Sequence, residues 1–190
     1  MRFIVLCLMC FMLTETWSQT KTEIERRIDV EDVPLKAVED LGENVKRFDK
    51  VKWYYQEDGD KKVFEAKFKQ FSQRYSVEFD TLGDLANVEI IIKKRQIPKK
   101  TFESISSHLK AEFDDYKILK MQREHLGDSD NLFELIEENE LESDLTIRYE
   151  VEVNAKVDKQ RKLYEIVFDD DGKVFRQREV IMQSTDILDY

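Results

Sequence analysis

The sequence predicts an α+β fold in which one helix packed on a four-stranded antiparallel sheet is used twice, as a tandem repeat. Two internal echoes and a pattern of alternation predict it. Val33-Pro34-Leu35-Lys36 returns 64 positions later as Ile97-Pro98-Lys99-Lys100, and these hold both prolines of the chain. The stretch Tyr75-Ser76-Val77-Glu78-Phe79-Asp80-Thr81-Leu82-Gly83-Asp84-Leu85 returns as Tyr164-Glu165-Ile166-Val167-Phe168-Asp169-Asp170-Asp171-Gly172-Lys173-Val174. Around these echoes lie short runs in which apolar and polar residues alternate, the period of a half-buried strand.

The chain opens on eleven apolar residues, Phe3 to Leu13, behind Arg2. A bilayer span needs about 20 such residues. The shorter run fits a secretory signal peptide over 1–18, with small residues at Thr16 and Ser18 ahead of cleavage before Gln19. Cys7 and Cys10 are the only cysteines and both lie inside it. The mature chain is then expected to have none, which excludes disulfides, thiolate catalysis and Cys-ligated zinc. Residues 19–32 read as an N-terminal linker.

The first unit is expected over 33–95. Val38, Leu41, Val45 and Phe48 follow the first proline at steps of three and four, one stripe of a helix. Proline costs nothing at a helix start, where its missing N–H would have no intrahelical partner. Strands are expected at 51–56 and 63–69 around the turn Glu57-Asp58-Gly59-Asp60. A hairpin follows: Tyr75, Val77 and Phe79 share a face, Asp80 supplies turn hydrogen bonds, and Gly83 supplies positive φ.

The second unit is expected over 96–182, with a tail at 183–190. Phe102, Ile105, Leu109 and Phe113 repeat the helical stripe, and strands are expected at 116–123 and 146–153 and in the hairpin around Gly172. The segment 127–144 has no counterpart in the first unit and carries eight acids with no Lys or Arg. It reads as a short acidic helix or hairpin extension.

Chemistry is sparse. A net charge of −10 argues against a phosphate-backbone partner. The two histidines are His108, on the second helix near Ser104 and Ser107, and His125, at a strand end. Neither stands in a nucleophile–base or zinc-ligand pattern, so no catalytic residue, metal or cofactor is expected. Asp128 and Asp130 resemble the opening of an oxygen-ligand loop, but no EF-hand continues from them. The remaining feature is a sheet surface. Trp53, Tyr54 and Tyr55 are consecutive, so alternation turns at least one ring away from the core, beside Glu65, Lys67, Glu150 and Glu152. These seven are the expected binding residues, with aromatic anchors and charges for steering.

The paired Val/Ile-Pro helices, Lys52-Trp53-Tyr54, Phe64-Glu65-Ala66-Lys67-Phe68 and the Phe-Asp-x-x-Gly hairpin resemble the PepSY-like, β-lactamase-inhibitor-like secreted proteins of Bacteroidetes-type bacteria. The resemblance covers about Val33 to Met182. It departs at the acidic insertion and at Ile118, where the second unit would want its Trp. It implies the tandem fold of β-lactamase inhibitory proteins, a periplasmic or secreted location, and a non-enzymatic module binding a protein or peptide. A periplasmic sensor of a small ligand or cation, accessory to a signalling or peptidase system, is the alternative. No membrane insertion is expected after signal cleavage.

Overall fold

The computed structural model describes residues 19–139 and 144–181. The expected signal peptide with Cys7 and Cys10, and the expected tail 183–190, lie outside the described residues.

The strands are β1 (Gln19–Lys21), β2 (Glu23–Ile28), β3 (Lys52–Asp58), β4 (Lys61–Gln70) and β5 (Gln73–Phe79). They continue as β6 (Leu85–Ile91), β7 (Tyr116–Leu126), β8 (Thr146–Val157), β9 (Gln160–Asp169) and β10 (Val174–Val180). The α-helices are α1 (Leu35–Asn44), α2 (Lys99–Glu112) and α3 (Ser129–Glu138).

The expectation of a tandem repeat of one helix on a four-stranded antiparallel sheet is overturned. All ten strands form one sheet, ordered β1-β10-β9-β8-β7-β6-β5-β4-β3-β2. The join is an antiparallel ladder between β6 and β7, from Val88 opposite His125 to Ile91 opposite Gln122. An exposed strand edge presents unpaired N–H and C=O groups, and pairing β6 with β7 removes two such edges at once. The acidic segment 127–144 stitches the molecule further. Its helix α3 buries Leu132, Leu135 and Ile136 and packs on α1 and β6. Gln70 Nε2, from β4, donates to the Ile136 carbonyl at 2.5 Å. One hydrophobic cluster runs through Leu41, Trp53, Phe79, Ile105, Leu135, Ile166 and Phe168. Each fully buried aliphatic side chain contributes about 1.5–3 kcal/mol to it.

The Phe-Asp-x-x-Gly turns serve as docking points for the helices. Thr101 Oγ1 donates to the Asp170 carbonyl at 2.8 Å and Ser104 Oγ to the Gly172 carbonyl at 2.9 Å. A Cβ added at Gly83 would stand 3.1 Å from Pro34 Cβ and from the Ala37 nitrogen at the start of α1.

Residues 19–32, read as a linker, supply β1 and β2. These pair with β10 in parallel and with β3 antiparallel, on opposite edges of the sheet, with Thr22 alone between them. Lys21 and Glu23 therefore bring the two edges within about 7 Å, the reach of two residues. The sheet must curl to allow it. Bulges at Glu78/Phe79, Ile118/Lys120 and Val174/Arg176 help, because each bends and twists its strand. The helices pack on the side of Phe79 and Phe168, and the opposite, helix-free face is the concave one, because Arg178 of β10 and Asp58 of β3 meet on it at 2.5 Å.

Candidate functional site, the charged concave face

Strand alternation turns polar residues from nearly every strand onto the concave face, and curling brings them together in three groups. The first lies on β2 to β5. Glu65, 4% exposed, accepts hydrogen bonds from Ser76 Oγ and Gln56 Nε2 and pairs with Lys67 Nζ at 3.0 Å. Lys67 also reaches Glu25 at 2.7 Å and lies 4.6 Å from the Tyr54 ring centroid. Burial pushes the Glu65 carboxyl up, outweighing the opposing charge of Lys67.

The second group forms the seam. Glu165, 3% exposed, accepts from Lys21 at 2.5 Å and from Arg178 Nη2 at 2.9 Å, with Arg176 at 3.4 Å. Burial alone would raise Glu165, but Lys21 and Arg178 bring it down to about 2. Arg178 Nη1 continues to Asp58 Oδ2, 2.5 Å away on β3.

The third group lies at the middle of the sheet. Gln122 Nε2 donates to Glu89, and Lys120 pairs with Glu152. Glu89 and Glu150 enter no ion pair among the described residues. Burial, with the Glu165 charge added, pushes Glu150 up to about 7. Burial and the charge of Glu150 hold Glu89 well above the ordinary carboxylate value. Nearby, Asn87 Nδ2 donates to Glu78 Oε2 at 2.9 Å, Lys61 pairs with the same oxygen at 2.6 Å, and Asn87 Oδ1 is buried without a partner. At the rim Arg148 lies over the exposed Phe175 ring at 3.9 Å.

The seven expected binding residues therefore separate. Tyr54, Glu65, Lys67, Glu150 and Glu152 share the concave face. Trp53 points the other way into the core, 5.9 Å from Phe79 between ring centroids. Tyr55 also turns to the helix side, edge-on to Phe64 and under Arg26. Lys21, Asp58, Glu89, Lys120, Gln122, Glu165 and Arg178 escaped the sequence reading. The signal for some of them was present: Asn87 and Glu89 in β6, Lys120, Gln122 and Glu124 in β7, and Arg176 and Arg178 in β10 are polar residues two apart.

The remaining candidates have structural partners. His108 lies 3.3 Å from Gln177 Oε1 and edge-on to Phe168, while Ser104 and Ser107 donate to backbone carbonyls instead. His125 is fully buried. Its Nδ1 lies 3.0 Å from the Val88 carbonyl, and Arg123 Nε donates to its Nε2 at 3.0 Å. Asp128 caps α3 by accepting from the Asp130 N–H at 2.9 Å. Among the described residues no group of three or more His, Cys, Asp or Glu is placed to hold a metal ion.

The fold is shared with solved structures from Bacteroides. A DUF2874 family protein from Bacteroides ovatus aligns over 83% of this chain and 92% of its own, with 10% identity and a TM-score of 0.54. A DUF2874 family protein from Bacteroides uniformis aligns over 77% and 89%, with 13% identity and a TM-score of 0.53. A protein from Bacteroides eggerthii provisionally described as periplasmic aligns over 77% and 88%, with 15% identity and a TM-score of 0.51. Identities this low establish a common fold. No protein-family model and no curated protein sequence matches the chain.

Proposed function

We propose that the chain is an exported, non-enzymatic binding or inhibitor-like module, acting in the periplasm or outside the cell, whose concave face receives a basic side chain from a protein or peptide partner. One observation carries this reading. On a face where most carboxylates stand in direct ion pairs, Glu89 and Glu150 are half-buried, make no direct ion pair among the described residues, and share the field of Lys120, whose ammonium is paired with Glu152. Burying carboxylates without a counter-ion costs stability. A partner's lysine or arginine supplies the missing charge, and Tyr54, Glu65, Lys67 and Glu152 line its approach. Export is supported by the apolar run at Phe3 to Leu13 and by the fold shared with the Bacteroides eggerthii protein. Among the described residues no helix is long and apolar enough to cross a membrane.

Asn87 Oδ1, buried and unbonded beside this site, favours a second reading, a receptor for a small organic cation. Capture from an envelope extract on immobilised protein separates the two. The partner reading expects a specific protein to be retained by the wild type and lost with Glu150→Gln, at an undiminished melting temperature. If capture is indifferent to Glu150→Gln while arginine or spermidine raises the melting temperature, the partner reading gives way to the receptor.

A further inference from the structure

The connection from β6 into the first turn of α2 reads Lys93-Lys94-Arg95-Gln96-Ile97-Pro98-Lys99-Lys100, five cations in eight residues without an acid. In a chain of net charge −10 this is a local reversal of sign. Solvated surfaces ordinarily intersperse the two signs, because neighbouring like charges repel. Here Lys93, Lys94, Arg95 and Lys99, the last paired with Glu103 at 3.9 Å, border an open groove of about 860 Å³ whose apolar surface comes from Ile97, Pro98 and Phe102. Lys94 Nζ lies 4.4 Å from the Phe102 ring centroid, which holds its ammonium over the groove. Lys93, Arg95 and Lys100 are exposed and enter no ion pair among the described residues. The groove lies outside the concave face and has the opposite electrostatic character.

We propose that this groove docks an acidic peptide segment of a partner protein, with carboxylates on Lys93 and Arg95 and an apolar side chain between Ile97 and Phe102. The apolar surface gives the segment an anchor, and the cations give it orientation and a fast encounter. A peptide is favoured over an anionic membrane by the rest of the molecule. Charges are screened beyond about 8 Å at physiological salt, so a narrow segment meets chiefly the local positive field. A bilayer covers a whole flank of the protein and meets its acidic surroundings as well.

The test uses the intact protein and a fluorescent peptide of alternating Asp and Glu with one central Phe, followed by anisotropy. Saturable binding is expected, at least tenfold weaker for Lys93→Glu with Arg95→Glu, and also for a peptide whose Phe is replaced by Ser. The pair Lys156→Glu with Lys159→Glu, at the β8–β9 turn, is expected to leave affinity unchanged. Matched melting temperatures establish that each variant is folded. Peptide binding that ignores either the charge reversal or the Phe overturns the proposal. So does retention on phosphatidylglycerol vesicles by a protein that does not bind the peptide.

Discussion

Arg178 and Asp58 meet at 2.5 Å although seven strand-to-strand steps of one sheet lie between them. In a flat sheet those steps would separate their strands by about 34 Å. Arg178 also holds Glu165, so the seam rests on one guanidinium with two carboxylate partners. Removing it strips Asp58 of its cation and leaves Glu165 to Lys21 and Arg176. Arg178→Met is expected to cost about 3 kcal/mol, the lower end for breaking a buried ion pair. Urea unfolding at pH 7 measures it, and a loss below about 0.5 kcal/mol would show that the seam is not ionic.

Glu150 should make stability depend on pH in an unusual direction. Its folded value is raised to about 7 from an ordinary 4.5, so the native state holds the proton more tightly than the unfolded chain. Stability from this group is full below about pH 4.5 and is lost as the pH rises through 7. Glu150→Gln should therefore gain on the wild type between pH 4.5 and 8, read as a growing difference in melting temperature. A difference that stays constant with pH contradicts the assignment.

His125 has the opposite sign. Burial, opposed by the Val88 carbonyl and aided by the Arg123 charge, lowers it to about 4. With Nε2 accepting from Arg123, the ring is neutral and carries its proton on Nδ1. Its contribution is present above about pH 6.5 and is lost as the pH falls towards 4. A proton NMR titration should find this imidazole uncharged at pH 5. A midpoint above 6 would be incompatible with the packing described.

Gly172 tests the docking of a turn on α2. Its φ is +79°, and an added Cβ would stand 2.5 Å from the Thr101 carbonyl oxygen and 2.9 Å from Ser104 Cβ. Gly59 has φ +62° with open space around it. Gly59→Ala should cost about 1 kcal/mol from backbone strain alone. Gly172→Ala should cost at least twice as much, because the helix must move. Thermal unfolding of the two variants gives the comparison, and equal losses would mean that the turn does not bear on α2.

Local features of the chain were readable before the structure. The Val-Pro and Ile-Pro starts, the stripes Leu41/Val45 and Ile105/Leu109, and the Gly83 and Gly172 turns are contacts among near neighbours. What joins the strands was not. The β6–β7 ladder, the placement of α3 on α1 and the Arg178–Asp58 contact pair residues far apart in sequence, and alternation is silent about edges. Alternation also assigns Glu65 and Glu150 to the face away from the helices without revealing that this face closes on itself. For that reason the concave site was only half legible. Its individual strands showed polar faces, while the convergence that crowds Glu89 and Glu150 among other carboxylates depends on the curl.

A double-mutant cycle tests the curl most directly. Arg178→Met, Asp58→Asn and their combination are compared by urea unfolding at pH 7. A contact between the two residues requires a coupling energy of about 1 kcal/mol or more. Additivity within about 0.3 kcal/mol would place the side chains apart, open the sheet, and remove the concave site with it.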